Sequence, residues 1–175
     1  LVTGVQTCAL PISETTQTDP SCAEVARCLD LDRPDRERHA REAAALLEHA
    51  LSDAGLHREV SVRVKSPCSV REKMGRRGLP LRDLQDVCGV RILVDTIPDC
   101  YAVLQAARSL WPDLPEAFDD YIRFPKENGY QSLHAVALLP CGHPIELQVR
   151  TFEQHREAET GPAAHWRYKL ATTAR

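Results

Sequence analysis

The sequence predicts an α+β domain, a mixed β-sheet of about five strands flanked by helices. Three observations carry this. Val60 to Lys65 and Ile145 to Arg150 alternate apolar with polar residues, the period of a half-buried strand. Val87 to Val94 is a nearly continuous apolar run, the pattern of a central strand covered on both faces. Between these stretches lie amphipathic helical stripes, but no regular βαβ repeat.

The chain has 175 residues, 43% hydrophobic and 27% charged, enough for one domain with a core. Its net charge of -3 argues against a general nucleic-acid coat and leaves room for a local basic pocket. Seven cysteines without a CxxC pair suit free thiols in a reducing cytoplasm better than a structural zinc site. No apolar run reaches membrane-spanning length, so no membrane role is expected.

Residues 1–31 are expected to form a flexible or non-native lead. Leu1 to Ile12 lacks the basic region of a signal peptide, and Ser13 to Ser21 is polar and threonine-rich. The domain is expected over residues 32–171, with 172–175 frayed. Asp32 and Pro34 read as the start of a helix whose stripe is Ala40, Ala43, Ala44, Leu47, Ala50, Leu51 and Ala54, with Gly55 as its stop. Val60, Val62 and Val64 then face inward on a strand, opposite Ser61, Arg63 and Lys65. Ser66 and Pro67 open the next helix, on which Ser69 and Lys73 share a face. A helix N-terminus favours anions, so Arg63, Lys65, Ser69 and Lys73 suit a polyphosphate, and suit a solvated basic surface equally well. Gly75 and Gly78 are expected to break this helix.

Asp86 heads the apolar run, and Arg91 sits inside it, where a cation needs a partner or a polar cleft. Thr96, Pro98 and Asp99 begin a helix with Cys100, Val103, Leu104, Ala107, Leu110 and Trp111 as its core stripe. The stretch Phe118 to Thr151 then places Lys126, Asn128, Tyr130, Gln131 and His134 on a loop leading into a strand. A second strand carries Glu146, Gln148 and Arg150 on its polar face. Thr151 starts a polar helix, and Gly161-Pro162 a last one bearing His165, Trp166 and Lys169.

Two carboxylates, Asp86 and Glu146, suit Mg²⁺, a hard cation that takes one or two carboxylates and leaves other positions to phosphate and water. Lysines and arginines neutralise phosphate, and Tyr130 can stack on a base. There is no P-loop, GxGxxG, HExxH or GxSxG. The residues by themselves indicate a Mg²⁺-dependent nucleotidyl or phosphoryl transferase.

RVKSPCSVREK, DVCGVRIL, DCY, FDDYIRFPKENGYQSLH, IELQVRT and GPAAHWRYK, in this order between Val60 and Lys169, resemble the motifs of the RelA/SpoT alarmone synthetase domain. The resemblance implies a nucleotidyltransferase-like fold and a GTP pyrophosphokinase, which moves pyrophosphate from ATP to the 3′-hydroxyl of GTP or GDP. It implies Asp86 and Glu146 as Mg²⁺ ligands, with Glu146 also the general base. It implies Arg63, Lys65, Ser69, Lys73 and Arg91 around ATP, and Tyr130, Lys126, Asn128, Gln131, His134 and Arg150 around the acceptor nucleotide, with Tyr130 stacked on its base. His165 and Lys169 fall in the closing motif. Two departures stand out. Cys68 occupies a position where an aromatic is usual, and Ala117 opens an otherwise acidic loop, which leaves GDP-versus-GTP preference open. The same chemistry on an adenosine nucleotide or a tRNA 3′ end, or a non-catalytic nucleotide-binding module, remains an alternative. The chain is expected to be cytoplasmic, and either a stand-alone, homo-oligomeric synthetase or a fragment of a multidomain one.

Overall fold

A computed structural model describes residues 21–52, 55–81, 84, 87–114 and 118–161. The expectations for Ala54, Asp86, Ala117, His165, Trp166 and Lys169, and for most of the lead, lie outside these residues.

The elements are α1 (Cys22–Ser52), β1 (Arg58–Val64), α2 (Pro67–Arg77), β2 (Cys88–Val94), α3 (Ile97–Leu110), β3 (Asp119–Asp120), β4 (Leu133–Leu138), β5 (Pro144–Thr151) and α4 (Phe152–Thr160). The strands form one mixed sheet in the order β1-β2-β5-β4-β3, parallel only between β2 and β5. The α+β expectation holds, five strands included.

Period-two alternation sets the two faces of the sheet. Val90, Ile92 and Val94 of β2, Ile145, Leu147 and Val149 of β5, and Leu133, Ala135 and Ala137 of β4 point to one side and are buried. There they meet Ala40, Ala43, Leu47 and Leu51 of α1 and Val103, Leu104 and Ala107 of α3. Each fully buried aliphatic side chain contributes about 1.5–3 kcal/mol, so this layer is what commits the register. On edge strand β1, Val60 and Val62 pack against this core, while Val64 at the strand end stays 40% exposed.

Sequence and structure agree on the capping of α2 and α3. Ser66 caps α2 by accepting from Ser69 N, Pro67 follows, and Gly78 closes it at φ +61°, a left-handed value that glycine adopts without strain. Gly75 does not break the helix; it lies inside it, and Gly78 alone provides the stop. Thr96 and Asp99 form a reciprocal capping box on α3.

The start of α1 is a correction. The helix begins at Cys22, not near Asp32, and runs through Pro34, so residues 22–31 are helix and not flexible lead. Ser21 and Glu24 supply the overlooked cap. The Ser21 amide donates to the Glu24 carboxylate at 2.7 Å, and the Glu24 amide donates to Ser21 Oγ at 3.2 Å. Val25 and Leu29 bury themselves in a second small core with Val70, Leu84 and Val87. These contacts offset the backbone hydrogen bond that an interior proline removes, a cost of about 3 kcal/mol.

The cysteines are corrected too. Cys22, at the start of α1, and Cys68, in the first turn of α2, are paired as a disulfide with Cα atoms 5.0 Å apart. Cys28, Cys88 and Cys100 are buried cysteines outside this disulfide, and Cys141 is an exposed one. The Cys22–Cys68 pairing depends on helix packing that residue spacing alone does not reveal.

Candidate active site

The face of the sheet turned away from α1 and α3 collects the polar side chains. Register aligns Arg63 of β1, Gly89 of β2 and Glu146 of β5 in one row. The next row is Ser61, Arg91, Gln148, His134 and Asp119. Arg63, Gly89, Val90, Glu146 and Gln148 line a shallow cleft between these rows. Sequence reasoning did not single out Gly89. Any side chain there would run into the Glu146 carbonyl oxygen and stand 3.2 Å from Glu146 Cβ. A glycine within a strand is the sequence signal for such a close approach.

Glu146 has a side chain only 13% exposed, and each of its oxygens has a neighbour. Gln148 Nε2 donates to Oε2 at 3.1 Å. His134 Nδ1 lies 3.4 Å from Oε1. The other ring nitrogen, Nε2, is 2.9 Å from the Tyr130 hydroxyl. With a carboxylate facing Nδ1, the ring proton belongs on Nδ1, and Nε2 accepts from Tyr130. A carboxylate, an imidazole and a phenol therefore form one chain.

Around that chain is a cluster of rings and cations. Tyr121, also overlooked, meets His134 edge-on at 5.4 Å and Tyr130 at 6.3 Å. Lys126 Nζ stands over the Tyr121 ring at 4.2 Å and Tyr130 at 5.4 Å, and the Arg150 guanidinium is 5.7 Å from the Tyr130 ring. Burial, followed by a hydrogen bond with Asp119, raises the Tyr121 pKa, so this phenol stays neutral. Asn128 and Gln131 brace the loop backbone. Asn128 Oδ1 accepts from Tyr130 N at 3.2 Å, and Gln131 Nε2 donates to the Ile122 carbonyl at 3.2 Å.

At the other end of the polar face lie two arginines. Arg150 is 2% exposed and Arg91 19%. Both Nε–H groups are buried without a hydrogen-bond partner among the described residues. Burial first, then the charges of Arg150 and Arg63, lower the Arg91 pKa. Glu159 of α4 answers both arginines, at 3.3 Å from Arg150 and 3.6 Å from Arg91. Arg150 also donates to His155 Nδ1 at 2.6 Å, and burial and the two arginines lower the His155 pKa. His155 and Glu159 were not expected in the site. Their i, i+4 spacing on a capped helix directly after β5 was the available signal. A cluster of partly unsatisfied cations beside a lone carboxylate suits a polyanion.

Lys65 N donates to the Val87 carbonyl at 2.9 Å, which fixes the point where β1 gives way to α2. Ser66 Oγ donates to Ser69 Oγ at 2.9 Å, and Ser69 and Lys73 follow one turn apart on α2. Arg63 and Arg91 thus share the sheet face with Glu146, while Ser69 and Lys73 belong to the helix that follows β1.

Among the described residues no three histidine, cysteine or carboxylate side chains gather into a metal cage. Mg²⁺ does not need one, because it uses one or two carboxylates and completes its shell with phosphate and water. Glu146, anchored by Gln148 on the cleft where β5 packs closely on Gly89, fits such a ligand.

Residues 62–173 match the family model described as "Region found in RelA / SpoT proteins". A GTP pyrophosphokinase of Streptomyces coelicolor is 41% identical over 151 residues, which is 86% of this chain and 18% of that protein. A GTP pyrophosphokinase of Escherichia coli strain K12 is 41% identical over 150 residues, 86% of this chain and 20% of that protein. The chain thus spans about a fifth of the length of these relatives. Among solved structures, the small alarmone synthetase 1 of Bacillus subtilis, bound to its product pppGpp, superposes with a TM-score of 0.61 at 25% identity, covering 82% of this chain and 81% of that one. With matched motifs running from β1 past α4, the chain belongs to the RelA/SpoT family.

Proposed function

We propose that this chain is a GTP pyrophosphokinase that transfers the β,γ-pyrophosphate of ATP to the 3′-hydroxyl of GTP or GDP, giving (p)ppGpp and AMP. The observation that carries the reading is the position of Glu146. It is a shielded carboxylate, held by Gln148 and His134, on a sheet face that also bears Arg63, Arg91 and Arg150. Similarity to GTP pyrophosphokinases and to a pppGpp-bound synthetase supports it.

Arg63, Lys65, Ser69, Lys73 and Arg91 grip ATP and its phosphates. Tyr130 stacks on the acceptor base, with Lys126, Asn128, Gln131, His134 and Arg150 around the same nucleotide. Glu146 takes the proton of the 3′-hydroxyl as its oxygen attacks the β-phosphorus. The α,β-bridging oxygen then leaves with AMP and keeps the bonding electrons. Positioning and charge neutralisation do most of the work in such a transfer. Asp86 and Glu146 would hold Mg²⁺, which when bound would neutralise charge on the transferring phosphates. The protein works in the cytoplasm, as a homo-oligomer or as the synthetase portion of a longer multidomain enzyme. No described helix is long and apolar enough to cross a membrane.

The test is incubation with labelled ATP, Mg²⁺ and either GDP or GTP, followed by identification of the product. A 3′-pyrophosphorylated guanosine is expected. Glu146→Gln should lower its formation by at least about 100-fold with an unchanged circular dichroism spectrum. Undiminished product from the variant would remove Glu146 from the mechanism.

A further inference from the structure

We propose that Cys22 and Cys68 form a thiol–disulfide modification site that sets how firmly α2 holds ATP. The proposal rests on the reading of Ser69 and Lys73 as ATP contacts.

Cys68 occupies the first turn of α2, next to Ser69 and five residues before Lys73. Its partner Cys22 opens α1, 46 residues earlier. The bond therefore joins the two helices at their N-terminal ends. Cys68 is exposed and Cys22 half-exposed, so exchange reagents reach the pair, whereas Cys28, Cys88 and Cys100 are buried.

The arm of α1 before Pro34 packs on α2. Its first turns rest on a satellite core in which Val25 and Leu29 meet Val70, Leu84 and Val87, apart from the main core that fixes Ala40 to Leu51. Pro34 interrupts the hydrogen-bond ladder between the two segments. With the thiols reduced, the arm before Pro34 and α2 meet, among the described residues, through that small apolar cluster. With the disulfide formed, both are tied at the first turn of α2, beside Ser69. The oxidised form is the one that holds ATP more tightly, because the helix N-terminus is ordered before the phosphates arrive.

The co-reactant is a low-molecular-weight disulfide of the glutathione type. One cysteine thiolate attacks it, a mixed disulfide forms, and the first glutathione thiolate leaves. The second cysteine thiolate then attacks the protein sulfur of the mixed disulfide and displaces the second glutathione. One S–S bond breaks and one forms, and the two cysteine protons end on two glutathione thiols.

The experiment uses the full chain poised with glutathione disulfide or with excess reduced glutathione. Peptide mapping should find the Cys22–Cys68 cross-link in the first state only. Titration with a non-hydrolysable ATP analogue should give a Kd at least about fivefold lower for the oxidised protein. The reduced protein should melt roughly 5–15 °C lower. Cys22→Ser should match the reduced protein under either poise. A response to oxidant retained by Cys22→Ser would assign the effect to another thiol and overturn the proposal, as would a cross-link that fails to form. Equal analogue affinity in both states would overturn the coupling alone. No analogue binding in either state would overturn the nucleotide reading and the coupling with it.

Discussion

His134 Nδ1 lies 3.4 Å from the Glu146 carboxylate while the Tyr130 hydroxyl occupies the opposite nitrogen of the same ring. The side chain read as the base-stacking platform thus touches, through one imidazole, the side chain read as the general base. A charge-assisted contact of this kind contributes about 1.5–3 kcal/mol, or roughly 10–100-fold in rate if it orients the carboxylate. His134→Ala is expected to lose about that much kcat. His134→Asn, whose amide nitrogen overlays Nδ1, should recover most of the kcat and show its defect in KM for the acceptor, since the Tyr130 contact is gone. Identical kinetics for the two variants would mean that the ring merely fills space.

Gly89 packs so closely on the Glu146 backbone that a methyl group does not fit there. Gly89→Ala must push β2 and β5 apart where they flank the cleft. We expect a loss of about 1–3 kcal/mol in stability, read as a lower urea midpoint, together with a fall in product formation from displacement of Glu146. A variant as stable and as active as the parent would show that the strands separate there at no cost.

How far these features can be read without coordinates depends on whether their cause is local. The buried face of Ile145, Leu147 and Val149 and the polar face of Glu146, Gln148 and Arg150 follow from the two-residue period of a strand, and both are as read. Arg91 inside an apolar run announced a cleft or a partner, and it has Glu159. The start of α1 went astray because Pro34 suits a first turn as well as it can be carried inside a helix. The choice between them was made by Val25 and Leu29 finding Val70 and Val87, an event of tertiary packing. The approach of Gly89 to Glu146, and of Cys22 to Cys68, needed the order of strands and helices, which no local period encodes.

His155 provides a pH dependence whose sign follows from its surroundings. It packs against Arg150 and Arg91 and faces Glu159 and Glu59 more weakly, and its pKa is lowered from 6.5, chiefly by burial and then by the arginines. Arg150 can only donate, so Nδ1 must accept, which requires a neutral ring. A histidine with a lowered native pKa binds its proton more readily when unfolded. Its contribution is therefore fully present above about pH 6.5 and is lost as pH falls from there through the lowered native value. Urea midpoints between pH 7.5 and 5.5 should decline, and His155→Gln should decline less over that window. Parallel curves would assign the loss to other groups.

Glu159 holds two arginines that would otherwise repel each other across the sheet. Its side chain is 51% exposed, so solvent screens the pairs and the full value of a buried ion pair does not apply. Arg150, at 2% exposure, gains most, because removal of its carboxylate leaves a buried cation with a neutral imidazole. Glu159→Ala should therefore lose about 1–2 kcal/mol of stability in dilute chloride. An anion that enters between Arg91 and Arg150 would replace the missing charge. Inorganic phosphate should raise the Tm of Glu159→Ala by more than that of the parent, in which Glu159 competes for the same guanidinium groups. Equal phosphate shifts for the two proteins would mean that the arginines are closed to anions and that Glu159 is an ordinary surface charge.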